Sequence, residues 1–389
     1  MNENHWLFNK IDTPKWNIDI TYNHQYGLSV PNIMAREAMQ KNCPFIPYWN
    51  SSPYGGALPN DDTVGDVHIW RNAFMSDNME ERIDLRAYDK VESKFVSEYG
   101  YVGPCCIESI RSYLDLGENE DIVREGRPWE MHLNVFEKET VYAGIERFYV
   151  DHPEHLSIED YILYGGMVHN NVLGYSLEAI RFKENCSGGI FWMYNDAWGE
   201  VGWTIIDYFL RRKAGFYGVK RALAHQKLTI RNVNDELVIQ GINDTPAGKK
   251  FNAEFGYVSF DGSERKTKTV SIDLEPRTRK YILKEKMPEF DSKKGSIVLI
   301  PEDKELDSAM LFILENRFLE YASVPVSVAA DQQGASTILT ISSPSYAHGV
   351  YIEGNYICSD NYFDVLPGEQ KTIIVDNPKG EKLSVKQIR

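Results

Sequence analysis

The chain has 389 residues, 42% of them hydrophobic and 25% charged, which is the composition of an ordinary globular protein with room for two to three domains. Its formal net charge of −15 argues against nucleic acid and anionic membrane as partners. The five cysteines, Cys43, Cys105, Cys106, Cys186 and Cys358, are odd in number and scattered, so they form neither a metal-ligand spacing nor a disulfide framework. No run of about 18 apolar residues is present to span a bilayer. The start "MNENHWLFNKID" has neither a basic nor an apolar leader region. By this start the expectation is a cytoplasmic protein, or a periplasmic or secreted one if the true N-terminus lies upstream.

Up to about residue 225, helix and strand signals interleave. "PNIMAREAMQKNCP" (31–44) predicts a helix with Pro31 near its start and Pro44 beyond its end. "PFIPYWNSSP" (44–53), "GDVHIW" (65–70) and "KFVSEYG" (94–100) predict short strands. "DHPEHL" (151–156) reads as a capping loop ahead of a long amphipathic helix over 157–185, with Ser157 as its N-cap and Glu159 and Asp160 in its first turn. "CSGGIFWMYND" (186–196) predicts a fourth strand and "RRKAGFYGVKRAL" (211–223) a closing helix. Such alternation implies a parallel sheet with helical crossovers.

After Lys227 the period changes to two, with turns at Asn234-Asp235, Asn243-Asp244 and Asp261-Gly262, so the expectation is a β-sandwich over 226–315. A second all-β segment follows over 316–389, with the boundary somewhere in 285–318. The fold class expected is therefore α/β plus all-β.

Glu98 stands among Phe95, Val96, Tyr99, Tyr101 and Val102, at the C-terminal end of a predicted strand. An unpaired carboxylate carried into such a setting costs several kcal/mol or more, so it serves an ion pair, a metal or chemistry. Trp49, Ser51 and Ser52 follow the first strand, Asp66 and His68 lie on the second, and Trp192, Asn195, Asp196 and Trp198 end the fourth. Polar and aromatic groups delivered to one rim by several strands suit a sugar pocket. The alternative for Asp66 and His68 is a loop-stabilising pair, for Trp192 a core position, and for Asp196 a loop cap.

The ordered segments "NEN", "HW", "PYWNSSPYGG", "GDVHIW", "FVSEYGYVGP" and "FWMYNDAW" resemble the catalytic barrel motifs of family 2 glycoside hydrolases, and of the β-mannosidase branch in particular. "SDNYFDVLPGEQKTI" (359–373) is similar to the signature of the immunoglobulin-like domain that closes β-mannosidases. The resemblance implies a partial (β/α)8 TIM barrel comprising strands five to eight over residues 1–225, then two immunoglobulin-like β-sandwich domains over 226–315 and 316–389. It implies that Glu98 is the nucleophile and Glu3 the acid/base. Asn2, Trp49, Ser51, Asp66, His68, Tyr99, Trp192 and Asn195 become substrate-side residues, the substrate is a carbohydrate, and neither cofactor nor metal is called for. Four strands cannot close an eight-stranded barrel. The expectation is that these residues belong to a larger enzyme, or that a partner supplies the N-terminal half, a second copy of the chain being the other candidate. Rival specificities within the same family are β-galactosidase, β-glucuronidase and exo-glucosaminidase. A non-catalytic carbohydrate-binding fragment is the alternative of a different class.

Overall fold

The computed structural model describes residues 29–55, 60–71 and 73–388. Asn2 and Glu3, with the "NEN" and "HW" motifs, lie outside the described residues. The chain divides into two compact units. One comprises the described residues up to Gly100 together with Ala179–Trp192, and the other Tyr101–Glu178 together with Met193 onward.

In the first unit a wide turn over Val30–Met34, with Pro31 in its first positions, leads into α1 (Ala35–Asn42). β1 (Val67–His68) pairs in parallel with β2 (Val96–Glu98), with Val67 opposite Val96 and His68 opposite Glu98. Between them lies α2 (Met79–Arg82), capped by Asn78, whose side chain accepts from the Glu80 N–H. The pairing runs past the strand ends, because the Ile69 N–H donates to the Glu98 carbonyl at 2.8 Å. On the other flank of β2, Val96 N–H donates to Gly188 O and Ile190 N–H to Val96 O, so residues 188–192 lie alongside in the parallel sense. β2 is thus flanked on both sides, and Val96 and Tyr99 are fully buried.

Two expected strands come out differently. Residues 44–53 form turns and bends, and Phe45 is 96% exposed. An apolar run becomes a strand only where a neighbour satisfies its backbone groups, and no sheet among the described residues includes this segment. Residues 186–196 make single bridges in place of a continuous strand.

The second unit contains α3 (Ile107–Tyr113), α4 (Gly126–Glu130), α5 (Thr140–Phe148), most of α6 (Ile158–Phe182) and α7 (Ala214–Ala222). Ser157 caps α6, accepting from the Asp160 N–H at 3.0 Å, and Glu159 and Asp160 occupy the positive first turn. α6 and α7 meet at glycines: a Cβ on Gly218 would lie 2.3 Å from the Asn170 carbonyl oxygen, and one on Gly174 3.3 Å from the Gly218 carbonyl oxygen. Asn170 seals the contact by donating to the Ala214 carbonyl at 2.8 Å.

From residue 226 on the chain is almost entirely strands. β3 (Gln226–Val233), β4 (Glu236–Asn243) and β7 (Thr278–Lys286) form one antiparallel sheet. β6 (Arg265–Leu274), β5 (Lys249–Ser259), β8 (Gly295–Pro301) and β9 (Ala309–Leu311) form another. Asn234 and Asp235 both take positive φ, 53° and 64°, the tight mirror-image turn that Asn-Asp supports. Leu228, Ile230, Leu237, Ile239, Phe255 and Ile297 from both sheets share one core.

β10 (Ser327–Gln333), β11 (Ser336–Ser342) and β14 (Gln370–Asp376) make a third sheet, and β13 (Phe363–Val365), β12 (Ala347–Ile352) and β15 (Val385–Lys386) a fourth. Their core takes in Tyr217 of α7 beside Ile341, Val350, Phe363 and Val375. Arg221 of α7 donates to the Asp360 carboxylate at 2.5 Å and to the carbonyls of Asn361 and Tyr362. Asp364 accepts from Gly349 N–H and Tyr346 O–H, each at 2.9 Å, and lies 2.9 Å from His348 Nδ1. The far side of the His348 ring reaches the Tyr149 hydroxyl at 3.2 Å, which accepts from Asn171 of α6 at 3.1 Å. The "DNYFD" segment therefore ties the last pair of sheets to the helices.

Candidate functional site at the strand ends

"DVHIW" places Asp66, His68 and Trp70 two residues apart, hence on one face of an extended chain. β2 ends on Glu98, whose side chain is 14% exposed. The Trp70 indole Nε1–H donates to Glu98 Oε1 at 2.9 Å, and His68 Nδ1 lies 3.7 Å from the same oxygen. Ser52 Oγ is 2.6 Å from Asp66 Oδ2 and 3.2 Å from His68 Nε2. A hydroxyl has one proton, and here it goes to the carboxylate. His68 Nε2 therefore carries the hydrogen and donates to Ser52 Oγ. Asp66 is held in turn by the Tyr54 N–H at 3.0 Å. The 3.7 Å from His68 to Glu98 is too long for a hydrogen bond, so Trp70 is the fixed donor.

Trp49 is 57% exposed and leans on Tyr54 with ring centroids 4.8 Å apart, and Trp192 is 40% exposed. Both present ring surface, unlike core tryptophans. Ser51 is buried. Tyr99 departs from its expected role toward substrate: its ring is fully buried and packs on Tyr88 at 5.5 Å, because it points to the opposite face of the strand from Glu98. Glu98, His68, Asp66 and Ser52 are thus brought together, with Trp70 a member that the motif reading passed over. The signal was its place two residues beyond His68.

Asn195 belongs to the second unit, where it is exposed and its amide donates to the Asp196 carbonyl at 3.5 Å. Asp196 is buried and accepts from the Thr204 hydroxyl at 2.7 Å. Burial pushes its carboxyl up to about 6, only partly offset by Lys213 and Thr204. The folded chain consequently binds more protons than the unfolded one between about pH 4 and 6, and stability falls as pH rises through that window. Asp196→Asn is expected to remove that slope and to stabilise the protein at pH 7 by up to about 3 kcal/mol, read by denaturant titration at pH 4, 5.5 and 7. Trp70→Phe keeps the ring and loses the donor. The Glu98 carboxylate then loses the indole donor at 2.9 Å.

A family model named Ig_mannosidase, an Ig-fold domain, matches residues 321–389. The β-mannosidase B of Thermothelomyces thermophilus is 29% identical over 191 residues, covering 46% of this chain and 21% of that protein. The β-mannosidase B of Aspergillus terreus is 23% identical over 383 residues, 89% of this chain and 43% of that protein. Among solved structures, a β-D-mannosidase from Dictyoglomus thermophilum superposes with a TM-score of 0.84 at 25% identity, over 99% of this chain and 47% of that one. The exo-chitosanase CsxA of Amycolatopsis orientalis matches at TM-score 0.59 and 14% identity, over 93% of this chain and 49% of that one, a likeness of fold alone. The chain spans less than half the length of each of these proteins. Over most of its length the chain resembles family 2 glycoside hydrolases. Within that family it corresponds to the C-terminal portion of a β-mannosidase.

Proposed function

We propose that this chain carries the nucleophile side of a retaining exo-β-glycosidase site that acts on terminal β-D-mannosides. The observation that carries the reading is Glu98 at the C-terminal end of a parallel strand, clasped by Trp70 and flanked by the Asp66–Ser52–His68 chain. That end of a parallel β/α sheet is where catalytic groups gather. In this reading β1, β2 and residues 188–192 are barrel strands six to eight, 44–53 takes up strand five once its neighbour is present, and Glu3 ends strand four. Residues 226–315 and 316–389 are then two immunoglobulin-like domains.

The chemistry is a double displacement across two carboxyls about 5–5.5 Å apart. The Glu98 carboxylate attacks the anomeric carbon as the glycosidic C–O bond breaks, and protonated Glu3 gives its proton to the departing oxygen. Glu3 then takes a proton from water, whose oxygen displaces Glu98 from the sugar. Asn2, Ser51, Trp49 and Trp192 line the sugar. The Trp70 indole N–H holds the Glu98 carboxylate oriented for attack.

Incubation with 2-deoxy-2-fluoro-β-D-mannosyl fluoride tests the assignment. A single adduct on the Glu98 peptide, seen by mass spectrometry, is the expected result, and an adduct elsewhere would discard it. A panel of nitrophenyl β-glycosides separates mannoside from galactoside, glucuronide and glucosaminide specificity. A second reading is carbohydrate binding without turnover. It predicts calorimetric binding of sugar with no adduct. In either case we propose that the remaining half of the barrel, in the same polypeptide or a partner, completes the site.

A further inference from the structure

We propose that β10 is the strand through which a second copy of this chain binds, edge to edge and antiparallel. The open side of a strand is a row of unpaired N–H and C=O groups, so a protein that stays single blunts or covers its long sheet edges. Among the described residues of the four antiparallel sheets, this is done at every edge but one. β3 is largely buried and reaches α6 through Lys227, 2.8 Å from Glu178, and through Arg231, which donates to the Tyr175 carbonyl at 3.1 Å. β6 carries Lys266 and Lys268, and β7 carries Lys280, Lys284 and Lys286. β9, β13 and β15 are only two or three residues long. The far edge of β14 is taken by residues 357–359, with the Ser359 N–H donating to the Ile374 carbonyl at 2.7 Å and the Asp376 N–H to the Ile357 carbonyl at 2.9 Å.

β10 has none of these devices. It is seven residues long, every one of them is exposed, it contains no lysine, arginine or proline, and among the described residues it pairs with β11 alone. The strand is nevertheless well anchored. All seven residues have partners on β11, and the Gln332 side chain pins the end by donating to the Gly334 and Asn377 carbonyls at 2.9 and 3.1 Å and accepting from the Thr337 hydroxyl at 2.6 Å. A strand held this way loses little freedom on receiving another. In strand addition the backbone supplies the affinity and the side chains choose the partner. β10 gives a foreign strand little to read: short side chains at Ser327, Ala329 and Ala330, and one carboxylate, Asp331, that the Gln333 amide already holds at 2.7 Å. Against its own twin it is self-complementary. With Ala330 on the twofold axis, Ala329 lies opposite Asp331 of the second copy and Val328 opposite Gln332, so no like charges meet and a methyl group stands where the copies come closest. The pairing joins two three-stranded sheets into one. A contact one strand wide is small, so the dimer is weak and forms with rising concentration.

The test is amide hydrogen exchange of the full chain at about 2 and about 200 μM, read by mass spectrometry, with sedimentation velocity on the same samples. The expected result is a monomer that becomes a dimer over that range, with the amides of 327–333 exchanging several-fold more slowly at the higher concentration. Ala330→Lys sets two ammonium groups against each other at the axis and should keep the protein monomeric. Ala329→Lys faces Asp331 of the second copy and should tighten the dimer several-fold. Both positions are exposed, so neither change enters a core. A protein that stays monomeric at about 200 μM, or one whose 327–333 amides exchange equally at both concentrations, overturns the proposal. Self-association that persists in Ala330→Lys also overturns it, because it then runs through another surface. Neither readout involves catalysis, so the outcome is independent of the glycosidase assignment.

Discussion

Under the mannosidase reading proposed above, Glu98→Gln is expected to cut hydrolysis of 4-nitrophenyl β-D-mannoside by about 10⁴-fold or more, as loss of a covalent nucleophile does, with KM little altered. The amide is nearly isosteric and still accepts the Trp70 indole hydrogen, so the pocket keeps its shape while the attacking oxygen is lost. Glu98→Ala opens room for an external nucleophile. Azide should restore turnover and yield the α-mannosyl azide, the anomer that a single displacement produces. Activity within tenfold of the parent in the glutamine variant would mean that another group attacks, and the assignment of the site would fail.

The second large effect is on stability. Asp364→Ala should cost about 3–5 kcal/mol, because it leaves the His348 ring, the Gly349 N–H and the Tyr346 hydroxyl without their acceptor in a buried setting. Burial alone would raise the Asp364 carboxyl. His348, the Gly349 N–H and the Tyr346 hydroxyl outweigh it and hold the group at about 2, against an ordinary 3.8. A depressed carboxyl contributes its stability above the unfolded value and loses it on acidification. About 2 kcal/mol should therefore disappear as pH falls from about 4 toward 2, and the alanine variant should lack that acid-side slope. Urea unfolding of both proteins at pH 2.5, 4 and 6 measures it. A variant as stable as the parent at pH 6 would show that the pair is dispensable.

The chain's own pattern made part of this legible. Val96 and Glu98 read as a strand end because an apolar run broke on a carboxylate, and the long helix read through Ser157 and its acidic first turn. The turn at Asn234-Asp235 was visible because few other residue pairs tolerate two positive φ values in succession. Residues 44–53 misled because a strand is a property of two neighbours, and apolar character in one segment says nothing of whether the other is there. Between 101 and 156 only a capping loop was readable, yet α3, α4 and α5 form with no side-chain cap, so the usual start signals were absent. Of the site, the carboxylate was legible from its strand-end position, and the aspartate and histidine from their place in the second strand signal. The Ser52 link was not, since it depends on a loop folding back over 14 to 16 residues.

The glycine crossing of α6 and α7 has a practical bearing on protein engineering. Swapping helical glycine for alanine is a routine route to thermostability, because it reduces the freedom of the unfolded chain. At Gly218 the added methyl would meet a carbonyl oxygen with no side chain to yield, so the swap would pry the two rods apart and unseat Tyr217 from the terminal sheets. A stabilisation campaign should leave that position alone and spend its substitutions on solvent-facing helix sites.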